Sequence, residues 1–155
     1  MNKKMVASVS MLLLPWLTVP FLGKSFFRFL PAATFVNLFI TVLSVIANRK
    51  KWYINKNPLF PNVPIVFTYI LGPHFIATLW MFKLTYGSFL KYLVANIVFD
   101  WINAFPFAGM WKRMGFFKFK NMSPSMYWCI TVFLAIVIYG YQYTVEKVVR
   151  NVKAS

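Results

Sequence analysis

The apolar positions of this 155-residue chain gather into long blocks. They neither alternate at a strand's period nor keep to one helical stripe. Five blocks stand out, at about residues 5–22, 31–47, 64–82, 89–110 and 125–143. A helix rises 1.5 Å per residue, so about 20 residues reach the ~30 Å of a bilayer's hydrocarbon core. The pattern predicts an all-α fold in one domain: a polytopic transmembrane helical bundle of five helices. The number falls to four if the first block dips into the membrane and returns.

Punctuation between the blocks refines this. The first follows the basic start Asn2-Lys3-Lys4 and resembles a signal peptide, but no small-x-small cleavage site follows it, so it reads as uncleaved. Pro15 and Pro20 predict that it is kinked or broken. Pro31 suits the first turn of the second helix, where its missing N–H is no loss. Asn48-Arg49-Lys50-Lys51-Trp52-Tyr53 reads as an interfacial stop of positive charge and aromatic anchors. Residues 55–64 read as a loop broken by Pro58, Pro61 and Pro64, with Pro64 opening the third helix. Gly72-Pro73 predicts a kink near that helix's middle. Ser88 is a candidate N-cap for the fourth helix, and Ser123-Pro124 offers a cap followed by an N1 proline for the fifth. The last helix can continue as a polar tail through Arg150.

Composition points the same way. Hydrophobic residues make up 60% and charged residues 12%, with mean hydropathy +0.63, against about 25% charged in soluble domains. A water-soluble surface is hard to build from so few charges. The charges are also one-sided: 17 Lys and Arg against Asp100 and Glu146 alone, a net charge of +15. Clustered between apolar blocks, these cations match loops beside an anionic leaflet, and no nucleic-acid partner is expected. With five crossings, one side collects ten cations (Lys3, Lys4, Arg49, Lys50, Lys51, Lys56, Lys112, Arg113, Lys118 and Lys120) and the other seven. This favours a cytoplasmic N-terminus and an outside C-terminus. A first block that only dips makes the tally eight against nine and removes that preference.

Inside the blocks, polar residues recur at helical spacing. Asn37, Thr41, Ser44 and Asn48 share one face, as do Asn96, Asp100 and Asn103, and as do Tyr139, Gln142, Tyr143 and Glu146; His74 and Thr78 lie one turn apart. Asp100, Asn96, Asn103 and His74 form the candidate intramembrane polar site. A mid-membrane carboxylate costs about 2.5–3.5 kcal/mol on insertion scales. Asp100 can carry a proton, hold a cation, pair with Lys91 or Arg28, or stay neutral and bond Asn96 or Asn103. The competing reading is interhelical glue, about 0.6 kcal/mol per hydrogen bond. His74 is expected to bond the backbone carbonyls freed at Gly72-Pro73, with a ligand or proton-relay role as the alternative. Glu146 and Arg150, one turn apart, are expected to pair at the surface.

Cys129, the lone cysteine, reads as a small packing residue and excludes a disulfide within one chain. Trp52, Tyr53, Trp80, Tyr86, Trp111, Tyr127, Trp128 and Tyr141 fall where belt aromatics belong. Trp101, beside Asp100 at depth, is expected to bond a neighbouring helix through its indole N–H.

No glycine-rich phosphate loop, paired-carboxylate motif or nucleophile–base spacing occurs, so no catalytic residue, cofactor or metal is expected. The expected function is a non-enzymatic component of the cell membrane acting through lipid or protein partners, a homo-oligomer included. The alternative is a small proton- or cation-linked transporter that uses Asp100.

Leu14-Pro15-Trp16-Leu17, Gly23-Lys24, Arg28-Phe29-Leu30-Pro31, Leu71-Gly72-Pro73, Lys83-Leu84-Thr85-Tyr86-Gly87 and the ending from Tyr139 to Lys147 resemble an uncharacterised family. Its members are small multi-pass membrane proteins of spore-forming Gram-positive bacteria. The likeness covers nearly the whole chain. It implies a bacterial cytoplasmic membrane and a link to sporulation or the cell envelope, and it assigns no role to any residue.

Overall fold

A computed structural model describes residues 3–55, 65–113, 115 and 117–154. The fold is all-α, with helix α1 (Lys3–Trp16), α2 (Val19–Leu22), α3 (Lys24–Arg49), α4 (Ile65–Tyr69), α5 (Phe75–Thr85), α6 (Phe89–Ile102), α7 (Ala108–Arg113) and α8 (Pro124–Ala154). π-helical turns at Ile70–His74 and Asn103–Phe107 join α4 to α5 and α6 to α7 without a break. Three helices are long and apolar enough to cross a membrane: Lys24–Arg49, Phe89–Arg113 and Pro124–Val152.

The prolines explain most of the boundaries. The first block breaks between Trp16 and Val19, as Pro15 and Pro20 imply. Pro31 does not open a helix. It lies inside α3, which starts seven residues earlier at Lys24, after Gly23 turns the chain with φ 56°. A left-handed φ is open to glycine at no steric cost, so Gly23 sets the boundary there. Pro73 and Pro106 each sit inside a π turn. The wider turn absorbs a residue that cannot donate its own N–H. Ser88 caps α6 through a bond from the Lys91 N–H, and Ser123 caps α8 by accepting from the Met126 N–H at 3.1 Å. The loop prolines Pro58, Pro61 and Pro64 lie outside the described residues.

Four helical runs form a closed ring in which α3 packs on α5, α5 on α6, α6 on α8, and α8 on α3. Their shared core is aromatic. The Phe82 ring stacks on Phe29 of α3 at 5.4 Å and on Tyr92 of α6 at 5.0 Å, and Tyr92 meets Tyr139 of α8 at 4.9 Å. Such pairs add about 0.5–1.5 kcal/mol each beyond the area they bury. Small residues on α3 (Ala32, Ala33 and Ala47) are buried and let the backbones approach.

The first segment lies outside this ring and runs parallel to α4–α5. α1 packs on α4 and on the π turn, and α2 packs on α5. Trp16 donates its indole N–H to Leu71 O at 3.1 Å and stacks on Phe75 at 5.6 Å. Further along, the Trp80 indole N–H bonds Thr18 Oγ1 at 3.0 Å, and Lys83 Nζ bonds Phe21 O. The segment follows its neighbour from end to end and does not turn back.

Beyond the helices, β1 (Tyr53–Asn55) pairs antiparallel with β2 (Phe117–Phe119), with Tyr53 opposite Phe119. This ribbon joins the segment after α3 to the segment before α8, so the basic runs around Arg49–Lys51 and Lys112–Lys120 meet at one end. The opposite end gathers the start of α3, the Tyr86–Ser88 turn and the last turns of α8.

Candidate functional site

The two π turns carry two of the candidate polar residues, His74 and Asn103. A π turn advances its hydrogen bonds to i→i+5, and here the Phe75 N–H reaches Ile70 O. Residues five apart then come onto one face, which puts the rings of Tyr69 and His74 6.1 Å apart. Ile70 O also accepts from Asn37 Nδ2 on α3 at 3.2 Å, and His74 Nδ1 lies 2.9 Å from Asn37 Oδ1. Because the Asn37 amide spends its N–H on Ile70 O, its oxygen is the acceptor. His74 therefore donates through Nδ1. On the other side of the ring, the Tyr69 hydroxyl donates to Asn103 Oδ1 at 3.1 Å. Two polar groups thus stand side by side, Ile70 O–Asn37–His74 and Tyr69–Asn103, with the His74 and Tyr69 rings in contact between them.

His74 was expected to serve the freed backbone itself. Its ring instead meets the Asn37 side chain, and the carbonyl that Asn37 bonds, Ile70 O, is one the Phe75 N–H already reaches. Asn96 and Asn103 do not bond Asp100 through their N–H groups: Asn96 Nδ2 returns to Tyr92 O at 2.8 Å and Asn103 Nδ2 to Phe99 O at 2.9 Å, each four residues back. Asp100 is half-buried on the helix that packs on α8, with its carboxyl beside the Thr131 hydroxyl. Lys91 is no partner for it, because nine residues of helix separate the two by about 13 Å along the axis. Trp101 is 49% exposed and lies against Phe105, 5.6 Å between rings. The helix that carries Trp101 is instead reached by the Trp128 indole of α8, which donates to Ile97 O at 3.1 Å.

Between α3, the first π turn and α8 lies a cavity of about 80 Å³, lined among others by Ser44, Tyr53, Tyr69, His74, Tyr127 and Thr131. Its walls are overwhelmingly apolar, the character of a cavity that stays dry. Two of these aromatics, Tyr53 and Tyr127, were read as belt residues. Tyr53 is instead buried, and its hydroxyl donates to Ser44 O at 3.0 Å.

A second cluster closes the opposite end. Arg28 of α3 grips Glu146 of α8 with two parallel bonds, Nε to Oε1 at 2.7 Å and Nη2 to Oε2 at 2.9 Å. Gln142, 0% exposed, donates to Arg28 O at 3.1 Å and to Glu146 Oε1 at 3.0 Å. The Arg28 guanidinium also sits 5.1 Å from the ring centres of Phe29 and Tyr86. This overturns two expectations. Glu146 pairs across helices rather than with Arg150 on its own helix, and Arg28 is committed to Glu146 rather than to Asp100. Gln142, which bonds both Arg28 O and Glu146 Oε1, and the ring faces of Phe29 and Tyr86 hold Arg28 at that place. Cys129 is exposed on the outer face of α8, not packed inside.

Among the described residues, no three of His, Cys, Asp and Glu come together as a metal site. No protein-family model, curated protein or solved structure matches the chain.

Proposed function

We propose that the chain is a multi-pass integral membrane component that crosses the bilayer five times and acts through lipid or protein partners without catalysing a reaction. The observation that carries this reading is the division of its surfaces. Large apolar side chains point outward along the three long helices, with Leu38 65%, Val98 53% and Phe133 67% exposed. Inside, Asn37, His74, Tyr69 and Asn103 are spent on one another and on backbone carbonyls. Such bonds hold helices together in lipid. The first segment, parallel to α4–α5 along its length, supports five crossings over four. The ribbon end, with Arg49, Lys50, Lys51, Lys112, Arg113, Lys118 and Lys120, is the end we place in the cytoplasm. The membrane we propose is the cytoplasmic membrane of a spore-forming bacterium, as the family resemblance implies.

A second reading draws on Asp100: a carboxyl at mid-helix, beside the Thr131 hydroxyl, suits proton- or cation-linked permeation. Reconstitution in vesicles separates the two. A proton or cation flux that the wild type carries and Asp100→Asn abolishes would establish permeation. No flux from either protein, with Asp100→Asn folded and only slightly less stable, is the outcome the component reading expects.

A further inference from the structure

At the end of the molecule where Arg28 meets Glu146, a groove of about 790 Å³ opens sideways between α3, the Tyr86–Gly87 turn and the last turns of α8. Its walls combine two chemistries. Phe27, Pro31, Tyr143 and Val149 supply apolar surface, and Lys147 and Arg150 supply exposed positive charge. Glu146 also lines it, but both carboxylate oxygens are taken by Arg28, so the acid and the arginine cancel. Two cations remain. Lys147 and Arg150 are three residues apart on α8 and so share one face of the helix.

The depth of the groove follows from helix lengths. α8 has 31 residues, about 46 Å at 1.5 Å per residue, well beyond a ~30 Å hydrocarbon core. Entering at Pro124, it leaves the acyl chains near Tyr143, which puts Lys147 and Arg150 in the headgroup layer. Counting about 20 residues back from Arg49 along α3 brings Arg28 to the same level. The apolar wall therefore borders acyl chains while the two cations stand where phosphates lie.

From this match of charge and depth, we propose that the groove seats an anionic phospholipid. Its phosphate rests on Lys147 and Arg150, and an acyl chain runs down along Phe27, Pro31 and Tyr143. The proposal rests on the reading of the chain as an integral membrane protein.

The test uses the full chain, purified in mild detergent, and native mass spectrometry of lipid-bound species during titration with phosphatidylglycerol or phosphatidylcholine. The variant is Lys147→Gln/Arg150→Gln, two exposed positions whose change leaves the Arg28–Glu146 pair in place. The control is Lys118→Gln/Lys120→Gln at the ribbon end, which removes the same charge. The wild type and the control should bind phosphatidylglycerol equally, and the Lys147/Arg150 variant about thirtyfold more weakly, the effect of two cations lost at an anionic surface. Phosphatidylcholine should bind all three proteins alike and weakly. Equal phosphatidylglycerol binding by all three, or phosphatidylcholine binding as tight as phosphatidylglycerol, overturns the proposal. Displacement of the lipid by inorganic phosphate at millimolar concentration overturns it as well, because the site would then be a free-phosphate site. Failure of the membrane reading is separately visible: an alkaline carbonate wash would then release the wild type and both variants from the membrane fraction alike.

Discussion

Gly72→Ala probes the seam on which the first helix sits. In an isolated helix the change is favourable by about 1 kcal/mol. Here a Cβ at residue 72 would stand 2.9 Å from Met11 O, 3.0 Å from Leu12 Cα and 3.1 Å from Leu12 O. All three are backbone atoms of α1, so no side-chain rotation relieves the contact and the helix itself must retreat. Overpacking of this kind costs about 1–3 kcal/mol. Retreat also stretches the Trp16 indole bond to Leu71 O, 3.1 Å long and worth about 1 kcal/mol. It loosens the Trp16–Phe75 stack at 5.6 Å as well, about 0.5–1.5 kcal/mol more. After subtracting the propensity gain, the variant should be destabilised by about 1.5–4.5 kcal/mol. Gly140→Ala on α8 supplies the contrast, since nothing lies within 4 Å of its Cβ position. It should be neutral or more stable by up to about 1 kcal/mol. Helix content followed by circular dichroism, as a denaturing detergent is titrated into mild micelles, reads both. Equal stability of the two variants would refute the close α1 seam.

The other predictions concern the two polar clusters. Arg28→Ala, Glu146→Ala and the double variant form a cycle whose coupling should be about 0.5–1 kcal/mol, because the pair is partly exposed despite its bidentate geometry. That coupling should shrink as salt is raised, and a coupling indistinguishable from zero at low salt contradicts the pairing. Asn37→Ala should cost about 1–3 kcal/mol by leaving His74 without its acceptor and Ile70 O without its second donor. In an Asn37→Ala background, His74→Phe should restore part of that loss. If His74→Phe costs the same with and without Asn37, the two residues are not coupled.

The parts of the fold that depend on neighbouring residues were legible in the sequence. Ser88 and Ser123 announce their helices because a cap acts within one turn. Gly72-Pro73 announces a distortion because proline's missing donor is a local fact. Pro31 misled, since a proline at a helix start and one within a long helix leave the same local trace, and here the left-handed turn at Gly23 decided. The candidate site was half visible. His74 and Asn103 were marked by their chemistry, but Tyr69 was missed. It lies five residues before His74, a spacing that faces apart in an α-helix and together only through the π turn. The Arg28–Glu146 bond joins residues 118 apart, and no periodicity carries information about such a pair, whereas Arg150, one turn away, was the partner that local spacing offered.

On the proposed membrane reading, acyl chains solvate the outward faces of these helices. Spin labels placed one at a time at Leu38, Val98 and Phe133, with Cys129→Ala, test it in reconstituted membranes. All three labels should show high accessibility to molecular oxygen and low accessibility to a polar nickel chelate. High accessibility to the chelate at these positions would mean that water covers them, and that these helices do not face lipid.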